Sequence, residues 1–430
     1  MTSAQRVPAA SADRVSARAV DRVGPDARLE PARPITVLGV GGGELSPGAR
    51  ERLADAALVL GGSRQLDAHA PEAVPRERLR GDLRPALERI ATERGPVVVL
   101  ASGDPGFFGI VRLLAERFGS ERLDVIPAVS SVAATFARVG VSWDDALVVS
   151  AHGRAPHRAV NAARAHPKVA VLTSPDFGPA HLARALTGLD RRLVVAERLG
   201  EPGERVTQGD PAGVAAAAWA DPNVVLVLAR AALVGKKAHA WPPRSPAGWA
   251  LAEGAFEHRD GMVTKSEVRA LALARLGPGV GDLVWDVGTG SGAVAVECAR
   301  FGAAVVAVDR DPAQCARARA NAAHHEVAVE VVEGEAPAVL AGLPDPDAVF
   351  VGGGGADLGA VIDLAAERAR RCVVLTLALV ERVGPALERL AAAGLEVEAT
   401  MLQASRLREL AGLHRMAAEN PVVVVWGARL

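Results

Sequence analysis

Residues Leu283–Ala299 read LVWDVGTGSGAVAVECA. An apolar run enters a turn with glycines at 288, 290 and 292, and a helix-forming stretch leaves it. Strand, glycine turn and helix in that order open a nucleotide-binding α/β sheet, where ligands collect beyond the carboxyl ends of the strands. Glycine lacks a Cβ, so a bound molecule can press against the loop, and the helix N-terminus offers free N–H groups.

Working outward, AAVVAVDRDP (303–312) gives a second strand ending in Asp309, where such folds hold ribose hydroxyls. Asp309 could instead cap the helix beginning at Pro312, a role Asp311 fills better. VEVVEGEAP (329–337) sets Glu335 and Ala336 at the next strand end, where an adenine would lie, and DPDAVFVGGGG (345–355) adds a glycine turn after the fourth. A dinucleotide enzyme prefers GxGxxG, whereas this loop reads DVGTGSG, opened by Asp286; that favours S-adenosylmethionine over NAD.

The first half alternates in the same way from Pro34. Val97–Ala101, Asp124–Pro127, Leu147–Ser150, Val169–Thr173, Leu193–Ala196 and Val224–Ala229 read as strands with helix-like stretches between several of them, which predicts α/β layering with a largely parallel sheet. ITVLGVGGG (35–43) runs from a buried strand into a glycine turn carrying Gly39 and Gly41, and SGDPGFFG (102–109) is a tight turn on Gly103, Asp104, Pro105 and Gly106. Asp104 either closes an Asp-Pro turn or holds a ligand. GKKAHAWPPRSPAGWALAEG (235–254) breaks the rhythm. The expected organisation is a disordered tail at 1–33, a first domain at 34–235, a linker at 236–254 and a second domain at 255–430.

Composition sets limits. With 49 basic against 50 acidic residues there is no global field to hold a nucleic acid, and aromatics for base stacking amount to 3%. RNA modification, the alternative class for the second half, is therefore disfavoured. Three cysteines without CxxC pairing argue for a reducing cytoplasm and against a structural zinc, so no metal is expected. No apolar run reaches the 18 or so residues of a bilayer span, so no membrane is expected.

Two resemblances sharpen this. From FEHRDGMVTKSEVRA (256–270) through WDVGTGSG, AVDRDP, EGEAP and DPDAVFVGGGG to ENPVVVVWG, the second half resembles the decarboxylating C15-methyltransferases of corrin biosynthesis, with a Rossmann-like fold. The resemblance implies that Thr264, Gly288, Thr289, Gly290, Ser291, Gly292, Asp309, Glu335 and Ala336 contact S-adenosylmethionine. Thr264 could also cap a helix beginning at Lys265, with Glu267 completing a capping box. VLGVGGG, VVVLASGDPGFFGI, VIPAVSSVAATFARVG, SAHGR and AERLGEPGERVTQG resemble the C5-methyltransferase members of the tetrapyrrole methylase family, whose two α/β subdomains hold the cofactor between them. That implies cofactor contacts at Gly39, Gly41, Gly103, Asp104, Pro105, Ser130 and Ser131. GVGGGE departs from the family's GxGPG, which leaves open a first half that serves only as a scaffold. His152 and Arg154 are either substrate-carboxylate ligands or ordinary loop residues.

The fusion of the two resembles the precorrin-6Y C5,15-methyltransferases (decarboxylating), implying one S-adenosylmethionine per domain, a precorrin-type tetrapyrrole substrate and a homo-oligomer. Decarboxylation calls for a nearby proton donor or cation. The candidates are His258, Arg259, Lys265 and Arg269, with Arg406, Arg408 and His414, all in the second half; in the first half Asp104 is the candidate catalytic residue. The RLREL run, 406–410, reads more readily as the solvated face of a helix.

Overall fold

The computed structural model describes residues 34–41, 44–152, 155–229, 248–259, 263–353 and 355–429. The expected tail, most of the expected linker, Gly42, Gly43 and Arg154 lie outside them, as do 260–262 and Gly354.

Ten strands of the first half make two sheets. β1 (Ile35–Val40), β2 (Leu58–Gly61), β3 (Arg76–Arg78), β4 (Val97–Ser102) and β5 (Leu123–Ile126) pair in the order β3-β2-β4-β1-β5, all parallel. ITVLGV and VVVLAS are near-continuous apolar runs because helices cover both faces of a parallel sheet. β6 (Leu147–Ser150), β7 (Lys168–Leu172), β8 (Arg191–Glu197), β9 (Arg205–Gly209) and β10 (Asn223–Ala229) pair in the order β6-β7-β10-β8-β9. Only β6 and β7 are parallel there, so the expectation of a largely parallel sheet fails in this subdomain. A strand buried on both faces reads as the same apolar run whichever way its neighbour points.

The second half forms one seven-stranded sheet. β11 (Leu283–Val287), β12 (Ala304–Asp309), β13 (Glu330–Glu333), β14 (Ala348–Val351) and β15 (Cys372–Leu377) are parallel; β19 (Val422–Ala428) runs antiparallel between β15 and the edge strand β16 (Glu396–Leu402), which points the same way as the other five. The order is β13-β12-β11-β14-β15-β19-β16. Trp285 on the central strand is fully buried, its indole N–H donating to the Pro344 carbonyl at 3.1 Å. Apolar clusters fill both faces of the sheet.

β17 (Ser405–Leu410) and β18 (Leu413–Ala418) form a hairpin, which corrects the reading of the RLREL run as a helix face. Ala411 and Gly412 both take positive φ, 50° and 76°, giving the two-residue primed turn that matches strand twist. The run carries period-two side chains, with Leu407 opposite Met416.

Candidate active sites

In the second half the ends of β11, β12, β13 and β14 converge. Gly288, Gly290 and Gly292 have φ of 71°, 55° and 77°. The backbone N–H groups of Gly288 and Thr289 donate to the Val308 carbonyl at 2.9 and 3.0 Å, clasping the loop to β12. The three glycines differ in purpose. A Cβ on Gly292 would fall 2.9 Å from the Ala318 side chain, so this glycine lets helix Pro312–His324 pack close. On Gly288 it would meet Gly353 N at 3.2 Å, admitting the turn after β14. On Gly290 it would meet nothing within 4 Å. Gly290 therefore leaves a face open to a ligand.

Asp309 ends β12. Its Oδ2 accepts from Gly290 N at 2.9 Å and its Oδ1 from Asp311 N at 3.0 Å. Asp311, not Asp309, caps the following helix, its Oδ1 accepting from Ala313 N at 2.9 Å. A carboxylate oxygen has two acceptor directions, so each Asp309 oxygen keeps one beyond the bond it accepts here. Glu335 is exposed and pairs with Arg310 at 3.1 Å, and half-buried Ala336 packs on the core beside it.

Beneath the loop Asp286 is buried. Its Oδ2 accepts from Thr289 Oγ1 at 2.6 Å and Ala295 N at 2.9 Å, while Oδ1 has no partner. Burial pushes its carboxyl up to about 6, against the two hydrogen bonds and with some help from the Asp309 charge. Ser291, buried too, gives its carbonyl to Asn321 Nδ2 at 2.8 Å.

The lead-in segment is held by a network that sequence reading assigned differently. Helix Ser266–Leu276 begins one residue later than expected, and its N-cap Lys265 makes no side-chain cap. Ser266 N instead donates to Glu253 Oε1 at 2.9 Å, because the 3₁₀ turn Glu253–Ala255 brings that carboxylate to the helix start. The expected capping box of Thr264 and Glu267 is thereby replaced. Arg269, a candidate for decarboxylation, is wholly buried. Its Nε lies 3.1 Å from Glu297 Oε1, its guanidinium sits 4.9 Å over the Phe256 ring, and it donates to the Thr264 and Leu251 carbonyls. Such a group is structural. Arg406 likewise faces Glu253, at 2.7 Å, and Glu267, an arrangement that raises its own pKa and, despite partial burial, holds the Glu253 carboxyl down at about 2.

Arg408 and His414 lie exposed on the hairpin. Arg259, 3.6 Å from Asp311, stays at the crevice edge; His258 and Lys265 are half-buried nearby in sequence to Thr264. Glu253, Glu297 and Asn321 were not singled out beforehand. The signal available was a polar residue on an otherwise apolar or alanine-rich helix face, as in AVAVECA and ARANAAH.

In the first half the β1, β4 and β5 ends meet. A Cβ on Gly39 would fall 2.3 Å from the Gly103 carbonyl oxygen and 2.4 Å from Ala128 N, so only glycine fits. Gly103, at φ 62°, donates to the Val40 carbonyl at 2.8 Å. Asp104 Oδ1 accepts from Gly106 N at 2.8 Å, the first of its two sequence readings, and Pro105 is buried. Ser130 caps helix Ser131–Val139, its Oγ accepting from Ala133 N at 3.1 Å. Gly41, Gly103, Ser130 and Ser131 thus stand on three adjoining loops, with Val129 exposed among them. His152 is exposed on the loop after β6.

The two halves define a tetrapyrrole-methylase architecture joined to a Rossmann-type methyltransferase. Residues 34–214 match the family of tetrapyrrole (corrin/porphyrin) methylases, and residues 254–429 match the precorrin methyltransferase domain. A precorrin-6Y C(5,15)-methyltransferase [decarboxylating] from Sinorhizobium sp is 39% identical over 76% of this chain and 79% of its own length. A probable cobalt-precorrin-6B C(15)-methyltransferase (decarboxylating) from Pyrobaculum calidifontis is 37% identical over 43% of this chain and 97% of its own. A cobalt-precorrin-7 C(5)-methyltransferase from Salmonella typhimurium is 34% identical over 40% of this chain and 88% of its own. The chain belongs to the precorrin-6Y C5,15-methyltransferase (decarboxylating) family.

Proposed function

We propose that the chain methylates a precorrin-6-type tetrapyrrole at C5 and C15 and removes carbon dioxide from its C12 acetate side chain, as a step of cobalamin biosynthesis. The observation that carries this is the Asp309 carboxylate bridging the open glycine loop and its own turn, in a chain so similar to that family. The first domain takes C5, and the second takes C15 and the decarboxylation, in keeping with the names of the single-domain relatives.

S-adenosylmethionine, one in each domain, supplies an electrophilic methyl on a sulfonium. In the second crevice Gly290 would admit it, Asp309 would accept from the ribose hydroxyls, Glu335 and Ala336 would flank the adenine, and Thr264 would contact it. Methyl transfer to an electron-rich ring carbon needs alignment and exclusion of water more than a strong base, and the sewn-down lead-in provides a rigid wall. For decarboxylation, Arg259, His258 and Lys265 on the lead-in are the candidate cations and proton donors, and each would stabilise charge flowing into the ring; Arg269 is wholly buried and Arg406 is held by Glu253 and Glu267. In the first domain the backbone of Gly39, Gly41, Gly103 and Ser130, with Pro105 and Ser131, cradles the cofactor, and Asp104 stands at the mouth. Leu407 and Met416, exposed on the hairpin, support a self-associating chain. The reaction belongs in the cytoplasm; no described helix is long and apolar enough to cross a membrane.

The test is mass spectrometry of the tetrapyrrole after incubation with S-adenosylmethionine. A gain of two methyls and loss of one carbon dioxide is expected. An unchanged tetrapyrrole, under conditions where the Sinorhizobium relative works, refutes the reading.

A further inference from the structure

Helix Pro156–Ala165 of the first half docks on the second half, and its contacts fall at one end of the β11–β15 sheet. Asn161, buried, donates from Nδ2 to the Gly281 carbonyl at 3.1 Å and to Asp347 Oδ2 at 3.3 Å. Arg158 donates to the Val280 carbonyl at 3.1 Å and lies 3.7 Å from Asp282, and His157 is 3.6 Å from Asp347. Arg164 pairs with Glu330 at 3.0 Å. Gly281 and Asp282 precede β11, Asp347 precedes β14, and Glu330 opens β13. Every one of these partners sits where a strand starts.

The crevice sits where the same strands finish, at Gly288, Asp309, Glu335 and Gly352. Five or six residues at about 3.3 Å each separate the two ends by roughly 17–20 Å. The sheet and its covering helices fill that distance with buried side chains. A cavity of about 360 Å³ does lie between the halves, but Arg164, Arg191, Leu283, Ala304 and Val329 line it, so it too lies on the strand-start side. The contact is specific: basic side chains on one edge meet carboxylates on the other, and two buried polar groups, Asn161 and Asp347, satisfy each other.

We propose that this contact fixes the second crevice so that it opens away from the first half. A tetrapyrrole finished by one half then leaves into solvent before the other half takes it. The inference rests on the two-site reading above and adds that the intermediate is free.

Two full-length variants test it. Asp309→Ala, assayed with cofactor near the wild-type Kd, leaves the second crevice mostly empty because its binding is weakened about ten- to hundredfold, and Gly39→Val, whose side chain would collide with Gly103 and Ala128, disables the first site. Each alone stops short of the fully modified tetrapyrrole. Mixed in equal amounts, they yield the fully modified product at about half the wild-type rate, because release and recapture by diffusion outpace turnover. Partial products persisting in the mixture, with each variant performing its own step, overturn the proposal. Should Gly39→Val misfold, the wild-type chain answers the same question. With isotopically labelled substrate and about a tenfold excess of unlabelled, partly modified intermediate, a free intermediate means about tenfold dilution of label in the final product. Undiluted label means direct transfer and overturns the proposal. A wild-type chain that leaves the tetrapyrrole untouched overturns instead the two-site reading beneath it.

Discussion

The two candidate cofactor sites use different chemistry on similar scaffolding. Both gather loops at the ends of parallel strands. The second crevice adds a carboxylate, Asp309, wired to the glycine loop by Gly290 N, and a buried carboxyl, Asp286, beneath it. Around Gly39, Gly103 and Ser130 the first site offers mainly backbone, packed so closely that a Cβ at Gly39 has no room. One site is specified by side chains that chemistry can read, the other by the absence of side chains.

That contrast can be broken at several points. The largest expected effect is on the second half's frame. Arg269→Met strips the buried Glu297 of one of its two arginine partners, leaving Arg300, and releases the Thr264 and Leu251 carbonyls, so the second half loses about 3–5 kcal/mol. Denaturant midpoints measure this, and the first half's transition stays in place if its frame is independent.

Next comes pH. Because the folded Asp286 carboxyl is raised to about 6 and its ordinary value is 3.8, the folded chain holds a proton that the unfolded chain has lost. Its contribution is fully present below about pH 4 and is lost as pH rises through about 6, a change of about 3 kcal/mol. Asp286→Asn removes that slope. Unfolding free energies across this range that fall as steeply in the variant would show that the slope comes from elsewhere.

The smallest effect contrasts the two glycine loops. Gly290→Ala meets no neighbour and costs only the left-handed backbone, about 1–2 kcal/mol, whereas Gly39→Ala collides with backbone and destabilises the first half more. Thermal unfolding of the two variants ranks them.

Much of the second half was legible. The strand–glycine–helix unit and the acids at 309 and 335 sit where their spacing put them, because a parallel strand's apolar run and a glycine turn are local signals. The Asp309 alternative resolved because Asp311, two residues on, took the cap. The lead-in was misread. Glu253, outside any local cap pattern, supplies the carboxylate to Ser266, and Arg269 looks on paper like any surface arginine of an amphipathic helix. Long-range ion pairs leave no periodicity. The hairpin at 405–418 was missed for a related reason: its strands are largely exposed, so the alternation that marks a half-buried strand is blurred by arginines on both strands. In the first half, direction was hidden too, since β7, β8 and β10 are apolar whichever way their neighbours run.

The most direct test of two separate sites is the calorimetric stoichiometry of S-adenosylmethionine binding to the full chain and to Asp309→Ala. Two sites per chain are expected in the wild type. Removing the carboxylate should weaken one of them by about 1.5–3 kcal/mol, some ten- to hundredfold, and leave the other unchanged. A wild-type chain that binds one cofactor, or a variant that weakens both sites equally, would contradict a division of the chemistry between the two halves.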